Sequence, residues 1–408
     1  MLKKFLKIRL ASGSLVYVMV LSLVIVLILG ILILRNNYTL IEVSKIQERE
    51  KLQDNLESVI TILEEDSSLL PQNKVFKISD NSDIETKIFK KPWGLLDIVY
   101  IISKGKTYRD TSIYLASSKY SKDDSLALYL SDKRNYLILG GKAKITGNVR
   151  IPKLGYKRGY INGKNCSEKV LIDGDIFFSE NKLPDLNAKL LSKIYSKIPS
   201  FEISSLKDSL TNSFRKQTLK YHSKDIIKLS NINLKGNIKI ESDNGIIVYP
   251  TCKLNNVILE SPVIIIKSGF KGNANFFSTH KVLLEEKVEL NYPSYIVLRG
   301  LNIADCTISK DSSIKGGIVF ENRNEKSVLK MQSKSYLKGQ IYSRVKTCLE
   351  GNLDGCAYVD QLYYDTEITK YRNVLFDCKI DRNILQSDMP LIDIEGKFRK
   401  EVFIKWLD

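Results

Sequence analysis

The sequence predicts a mainly β protein with one long N-terminal α-helix: a membrane anchor, a small β-sheet region, and a parallel β-helix body for which a β-sandwich is the alternative. Three observations predict it. Leu15 to Leu34 (LVYVMVLSLVIVLILGILIL) carries no charge. Beyond residue 75, short apolar runs separated by turn residues fill most of the chain. Among them, a motif of the form aliphatic-x-Gly-x-aliphatic returns repeatedly.

The first element is the apolar run, expected as a basic cytoplasmic leader over residues 1–14 and a transmembrane helix over residues 15–34 in contact with lipid. About 20 residues at 1.5 Å each cross a hydrocarbon core of ~30 Å. Inside lipid the backbone must bond to itself, so the β-branched residues do not argue against a helix. The first 34 residues hold Lys3, Lys4, Lys7 and Arg9 and no acid, which leaves +13 of the net +17 for the rest. The positive-inside rule then keeps the N-terminus in the cytoplasm, the span in the inner membrane and the body periplasmic. A cleaved signal peptide is the alternative, but the run is long and Leu34-Arg35-Asn36-Asn37-Tyr38 contains no A-x-A-like site.

The helix is expected to continue as an amphipathic segment over residues 35–70. Tyr38 to Glu65 has neither Gly nor Pro. Leu52, Leu56, Val59, Ile60 and Leu63 fall on one face, and Glu48, Arg49, Glu50 and Lys51 are expected to supply the solvated side. Ser67-Ser68 and Pro71 suit a stop.

A short basic leader, the small pair Ser12-Gly13 and an apolar helix that becomes amphipathic resemble the N-terminus of type IV pilins and type II secretion pseudopilins. The likeness covers about the first 65 residues. Most pilins carry a glutamate at the fifth mature residue; with processing after Gly13 that position is Val18, so the resemblance is to the minor, glutamate-free class. It implies assembly with other pilin-like subunits, and an ordinary signal anchor accounts for the same residues.

Residues 75–141 are expected as a small antiparallel sheet with strands at Val75–Ile78, Thr86–Phe89, Leu95–Ile102, Ser112–Leu115, Leu126–Leu130 and Tyr136–Leu139, and with a turn at Lys91-Pro92-Trp93-Gly94. Residues 142–356 carry the glycine motifs centred on Gly147, Gly174, Gly236, Gly316, Gly339 and Gly351. Alternation puts the aliphatics on one face, and glycine there suits a corner or a close backbone approach. Between Gly245 and Leu298 apolar runs return every ~7–10 residues, as a β-helix requires. The irregular spacing of the glycines is what keeps the sandwich open. Residues 186–216 read as a helical insertion packed on the side of the body, with Asp185 as N-cap and Pro199 as stop. Residues 357–408 return to strands that cover the last coil. A glycine between alternating aliphatics resembles bactofilins. Lys91-Pro92-Trp93-Gly94-Leu95, Leu210-Thr211-Asn212-Ser213-Phe214 and Val374-Leu375-Phe376-Asp377-Cys378-Lys379-Ile380-Asp381 resemble bacterial envelope proteins with a pilin-like anchor and a β-helix body. That resemblance implies no activity.

Chemistry is sparse. No P-loop, dinucleotide, G-x-S-x-G or H-E-x-x-H motif occurs, and no cofactor, metal or catalytic residue is expected. The two histidines, His222 and His280, are far apart in sequence. Glu285 and Glu286 are adjacent in a strand and point apart. Asp173 and Asp175 share a face; Ca²⁺ binding is one reading and a solvated outer face the other. Asn165-Cys166-Ser167 matches a glycosylation sequon that recurs by chance. Six cysteines without a C-x-x-C pair read as buried thiols, with Cys348–Cys356 the pair that a disulfide reading would choose first. The basic balance lacks an Arg-rich, aromatic-laced stripe, so no nucleic-acid partner is expected. A non-enzymatic, membrane-anchored envelope protein, a minor part of a pilus-like or secretion assembly, is the favoured function. A β-helix polysaccharide-binding or polysaccharide-active protein is the rival, and it requires two carboxylates close together in a groove. A bactofilin-like polymer with a cytoplasmic body, which needs reversed topology, is a third reading.

Overall fold

The computed structural model describes residues 12–65, 70, 73–78, 83–120, 126–195, 198–366, 369–384, 392, 394 and 399–407. The chain is mainly β, with a long N-terminal helix and a β-solenoid of about 12 turns. Helix α1 runs unbroken from Ser12 to Glu65, 54 residues or about 80 Å. The leader, apart from the helical backbone of Ser12–Ser14, and the stop at Ser67-Ser68 and Pro71 lie outside the described residues.

The last turns of α1 pack on a five-stranded antiparallel sheet. Leu56, Val59 and Leu63 meet Ile88, Val99, Ile101 and Ala116. Each such burial contributes roughly 1.5–3 kcal/mol. Alternation sends the next residues of the same strands the other way. Ile98, Tyr100, Ile113 and Leu115 face the solenoid, so the sheet is buried on both sides between helix and solenoid. Its strands are Val75–Phe76, Glu85–Trp93, Leu96–Lys104, Arg109–Tyr120 and Arg399–Trp406. The turn is tighter than the sequence indicated. Trp93 pairs with Leu96, and only Gly94 and Leu95 form the loop, with Gly94 at φ +63°. Pro92 lies within the strand opposite Asp97.

The solenoid has three faces, and its ladders pair in parallel, which decides for the β-helix over the sandwich. Register partners one turn apart differ by 16 residues from Gly339 to Gly355 and by 23 from Gly316 to Gly339. Loops at the corners absorb the difference, so irregular spacing and a regular core coexist. Ile240, Leu259, Phe276, Ile296, Phe320 and Ile341 are fully buried along the inside of one face.

Glycine sits at one corner. Gly316, Gly339 and Gly355 have φ of +147°, +142° and +149° and stack one turn on the next. A Cβ on Gly339 would overlap the Gly316 carbonyl oxygen, and one on Gly355 would overlap that of Gly339. Nearer the solenoid's other end the same corner is lined by asparagine: Asn212 Nδ2 donates to the Asn237 carbonyl at 2.8 Å and Asn273 Nδ2 to that of Tyr292 at 3.3 Å. The motif assigned to Gly351 belongs to a different corner; the residue in this ladder is Gly355.

The chain does not wind through the solenoid in sequence order. Along one face the spatial order begins with Ser200–Ile203, continues turn by turn to Asn352–Asp365, then passes to Leu126–Leu130, Asn148–Ile151 and Ile176–Phe178. Leu126–Leu130 and Leu137–Gly140, expected in the small sheet, are therefore solenoid strands. The first stacks on Ala357–Val359, and the second on Val374–Phe376. The rung after Lys379–Asp381 is Lys144–Thr146.

A strap joins the two ends. After Phe178 the chain runs back along the outside: Tyr129 Oη donates to the Lys182 carbonyl (3.1 Å) and Tyr342 Oη to that of Pro184 (2.9 Å). Helix α2 (Ala188–Tyr195) buries Leu190 and Ile194 against the solenoid and small sheet. Its N-cap is Asn187, whose Oδ1 accepts from Lys189 N at 2.9 Å, and not Asp185, which pairs with Arg344. Residues 200–212, expected within the insertion, form strands Ser200–Ile203 and Ser209–Asn212 of the first turn. The described residues of the tail do not lie on the last coil. Lys370–Arg372 folds back antiparallel on Tyr363–Asp365, Val374–Phe376 and Lys379–Asp381 complete a turn in mid-solenoid, and Arg399–Trp406 crosses to pair with Arg109–Tyr120 of the small sheet.

Candidate functional site

Two features stand apart from the core: the bare half of α1, and a charged ladder beside the strap. Every described side chain from Leu15 to Leu34 is exposed or, at Gly30, half-exposed, and this is a helix long and apolar enough to cross a membrane. Leu40, Val43 and Ile46 are still exposed beyond Arg35. Glu48 and Arg49, expected on the solvated side, instead dock on the small sheet, because they lie one turn before Leu52 on the same helix face. Glu48 Oε1 accepts from the backbone N–H of Thr107 (2.7 Å) and Tyr108 (3.1 Å), which hold its carboxyl below the usual range. Arg49 lies over the Tyr108 ring at 4.6 Å. Deeper in, Asn55 Nδ2 donates to Thr86 Oγ1 (2.8 Å) and Ser103 Oγ (3.1 Å). The buried face comprises Leu52, Leu56, Val59 and Leu63, as the spacing predicts, with Ile60 at its margin. A buried asparagine on this face had no signal in the apolar pattern.

The structure keeps the chemically suggestive residues apart. His222 Nε2 meets Asp243 Oδ1 at 3.0 Å. His280 contacts Thr279 Oγ1 (2.8 Å) and Asn302 Nδ2 (3.3 Å). Lys267 pairs with Glu285 at 2.5 Å and holds its carboxyl below the usual range, while Glu286 is exposed. Asp173 and Asp175 flank the corner at Gly174, both exposed. Among the described residues no group of three or more His, Cys, Asp or Glu could hold a metal ion. Ser167, next to Cys166, donates its Oγ to the Gly141 carbonyl (3.2 Å). All six cysteines are free, and all but Cys166 are buried. Cys348 and Cys356 lie on different faces of the solenoid. Burial pushes the Cys306, Cys348 and Cys378 thiols far above their usual range, which makes them poor nucleophiles.

The charged ladder was missed by the sequence reading. Lys220 bridges Glu202 (3.3 Å) and Glu241 (3.1 Å), and Lys239 bridges Glu241 (3.2 Å) and Glu260 (2.6 Å). Arg299 closes the row on Glu260 and lies over Tyr195 of α2 at 5.5 Å. Beside it a small cleft is lined by Pro92, Gly94, Lys193, Ile194, Lys239, Glu260, Phe277 and Arg299. Burial pushes the Glu241 carboxyl up, yet Lys239 and Lys220 outweigh it and hold it below its usual value. One turn-stack further on, Arg344 joins Glu321 (2.6 Å) to Asp185 of the strap. Burial raises the Glu321 carboxyl, and Arg344 only partly offsets it. Two carboxylates do converge at Lys239, but both are tied to cations, Glu241 to Lys220 and Lys239 and Glu260 to Lys239 and Arg299, and the Glu241 carboxyl is held below its usual value, the opposite of what a glycosidic acid needs. The arrangement ties the strap to the solenoid through Tyr195 and Asp185. Residues one turn apart are neighbours here, and no signal short of the register would have found them.

No family model matches the chain, and no curated protein matches it. Among solved structures the competence-associated pilin ComZ from Thermus thermophilus matches over 83% of this chain and 86% of that one, at 10% identity and a TM-score of 0.25. A TM-score of that size assigns neither fold nor function.

Proposed function

We propose that this chain is a non-enzymatic cell-envelope protein held in the inner membrane by residues 15–34, with its body periplasmic, and that it serves as a minor component of a pilus-like or secretion assembly. The observation that carries the reading is the continuity of α1. One helix is bare and apolar for its first half and stapled to the small sheet by Leu52, Leu56, Val59, Leu63 and Asn55 in its second. A helix built this way transmits position from bilayer to body without a hinge. Leu40, Val43 and Ile46 remain uncovered beyond the span, where helices of neighbouring subunits would pack. The ion-paired carboxylates of the ladder weigh against the polysaccharide-active reading.

The test exchanges Leu15–Leu34 for an unrelated anchor of equal length and separately replaces Leu40, Val43 and Ile46 with Ser. Both changes should leave the body folded and membrane-bound but abolish cross-linking to envelope partners. Undiminished cross-linking in both overturns the assembly reading. Protease added to spheroplasts should digest the body; full protection would reverse the topology.

A further inference from the structure

Among the described residues nothing pairs with the outer edge of the solenoid's last turn, and that edge has a chemical character. The last strands on its three faces are Tyr156–Arg158, Ile172–Asp173 and Ile176–Phe178. Among the described residues each has a ladder partner on one side only: Leu137–Leu139, Ile145–Thr146 and Val149–Ile151. Their outer backbone N–H and C=O groups therefore form an unpaired edge. Register fixes which side chains point inward. Ile176 is opposite Val149, and Phe178 is opposite Ile151, both of which are fully buried. Ile176 and Phe178 thus occupy core positions, yet they are 43% and 63% exposed. Tyr156, opposite the buried Leu137, is 41% exposed. At the opposite end Leu206 and Leu210 pack against the core, while Phe201, in register through Leu219 with the buried Ile238, is 60% exposed.

Charge identifies what fits. From Lys142 to Lys182 there are nine Lys and Arg against four Asp and Glu. Arg150 lies over Phe177 at 5.7 Å and Lys157 over Tyr136 at 4.9 Å, so exposed cations rim the apolar edge. A second copy of the same end would bring like charges together. Stacking on the first turn of another copy meets the same objection, because residues 200–229 carry six Lys and Arg against three Asp and Glu. A nucleic acid or polysaccharide would answer the charge but neither the unpaired backbone nor the exposed core positions.

We propose that this edge receives an extended acidic polypeptide segment of another protein, which adds as a further rung of the solenoid. Its backbone pairs with Ile176–Phe178, its apolar residues cover Ile176 and Phe178, and its carboxylates face the Arg150 and Lys157 rim. Main-chain bonding supplies affinity, and alternate side chains supply selection. The inference does not depend on the membrane topology.

The experiment uses the full chain in detergent and a fluorescent octapeptide of alternating Val and Glu. Controls are the Val-Lys octapeptide, the Val-Glu peptide N-methylated at alternate residues, and polyglutamate. The Val-Glu peptide should bind one per chain, and all three controls should bind at least tenfold more weakly. Ile176→Glu and Phe178→Glu should each weaken binding at least tenfold while leaving the circular dichroism spectrum unchanged. Equal binding of the N-methylated peptide or of polyglutamate overturns the proposal in favour of a purely ionic patch. Dimerisation that Ile176→Glu abolishes overturns it in favour of a second copy. No binding of the Val-Glu peptide overturns it outright.

Discussion

Replacing Gly339 with Ala should be among the most damaging single-methyl changes in this protein. At φ +142° an L-residue costs about 1–3 kcal/mol. The new Cβ would also overlap the Gly316 carbonyl oxygen, which is backbone and cannot rotate away. Relief requires separating two rungs of the parallel ladder that joins Ser313–Asn322 to Tyr336–Leu349, at about 1 kcal/mol for each hydrogen bond lost. The two effects together come to about 3–5 kcal/mol. Gly155 is the control. It too has positive φ, +82°, but nothing lies within 4 Å of its Cβ position, so Gly155→Ala carries only the conformational cost of about 1–2 kcal/mol. A solenoid opens locally as well as globally, so the informative assay is native-state amide exchange in Ser313–Asn322 and Asn352–Asp365. Gly339→Ala should raise the opening equilibrium there about 30-fold more than Gly155→Ala raises it in its own neighbours, Leu137–Gly140 and Tyr156–Arg158, for a difference of about 2 kcal/mol. Equal effects of the two substitutions would refute the stacked-corner argument.

Arg344→Met removes the cation beside buried Glu321 and the strap's ion pair at Asp185, and should cost about 3–5 kcal/mol in urea unfolding; adding Glu321→Gln should recover most of it, and a lack of recovery would assign the loss to packing alone. Asn55→Ala leaves the Thr86 and Ser103 hydroxyls without their donor, and should cost about 2 kcal/mol, read as faster proteolysis of the end of α1. Glu48 titrates below its ordinary value because Thr107 and Tyr108 donate to its charged form; the docking it provides is complete above the usual carboxylate pKa and lost as pH falls through the lowered value, so amide exchange of Thr107 and Tyr108 should accelerate in acid, and flat exchange would remove the claim. Thiol titration of the native protein should find Cys166 reactive and the five buried cysteines slow, with all six reacting after denaturation whether or not reductant was present.

Elements governed by local pattern were legible before the structure. The span at Leu15–Leu34, the buried face at Leu52, Leu56, Val59 and Leu63, and short strands such as Ile246–Val248, Val257–Glu260 and Val263–Ile266 follow from periodicity, because burial on one face leaves a period in the sequence. The glycine motifs marked a corner for the same local reason: a positive φ and a close backbone approach exclude Cβ.

Which strand neighbours which was decided only by the tertiary structure. Nothing in Leu126–Leu130 says that it stacks on Ala357–Val359 rather than joining the small sheet, and nothing in Arg399–Trp406 says that it crosses to Arg109–Tyr120. A parallel β-strand carries the same alternation whichever rung it fills, so sequence order was the default guess, and the strap from Phe178 back to Ser200 breaks it. The charged ladder of Lys220, Lys239, Glu241, Glu260 and Arg299 was hidden for that reason. Its members are bonded through register, and register across the turns is a property of the folded chain. The sequence by itself determined the helix, the inward faces and the corners, because each depends on a residue and its near neighbours. The tertiary structure alone decided the order of the turns, the double burial of the small sheet and the open basic end, because each depends on pairing between segments far apart in the chain.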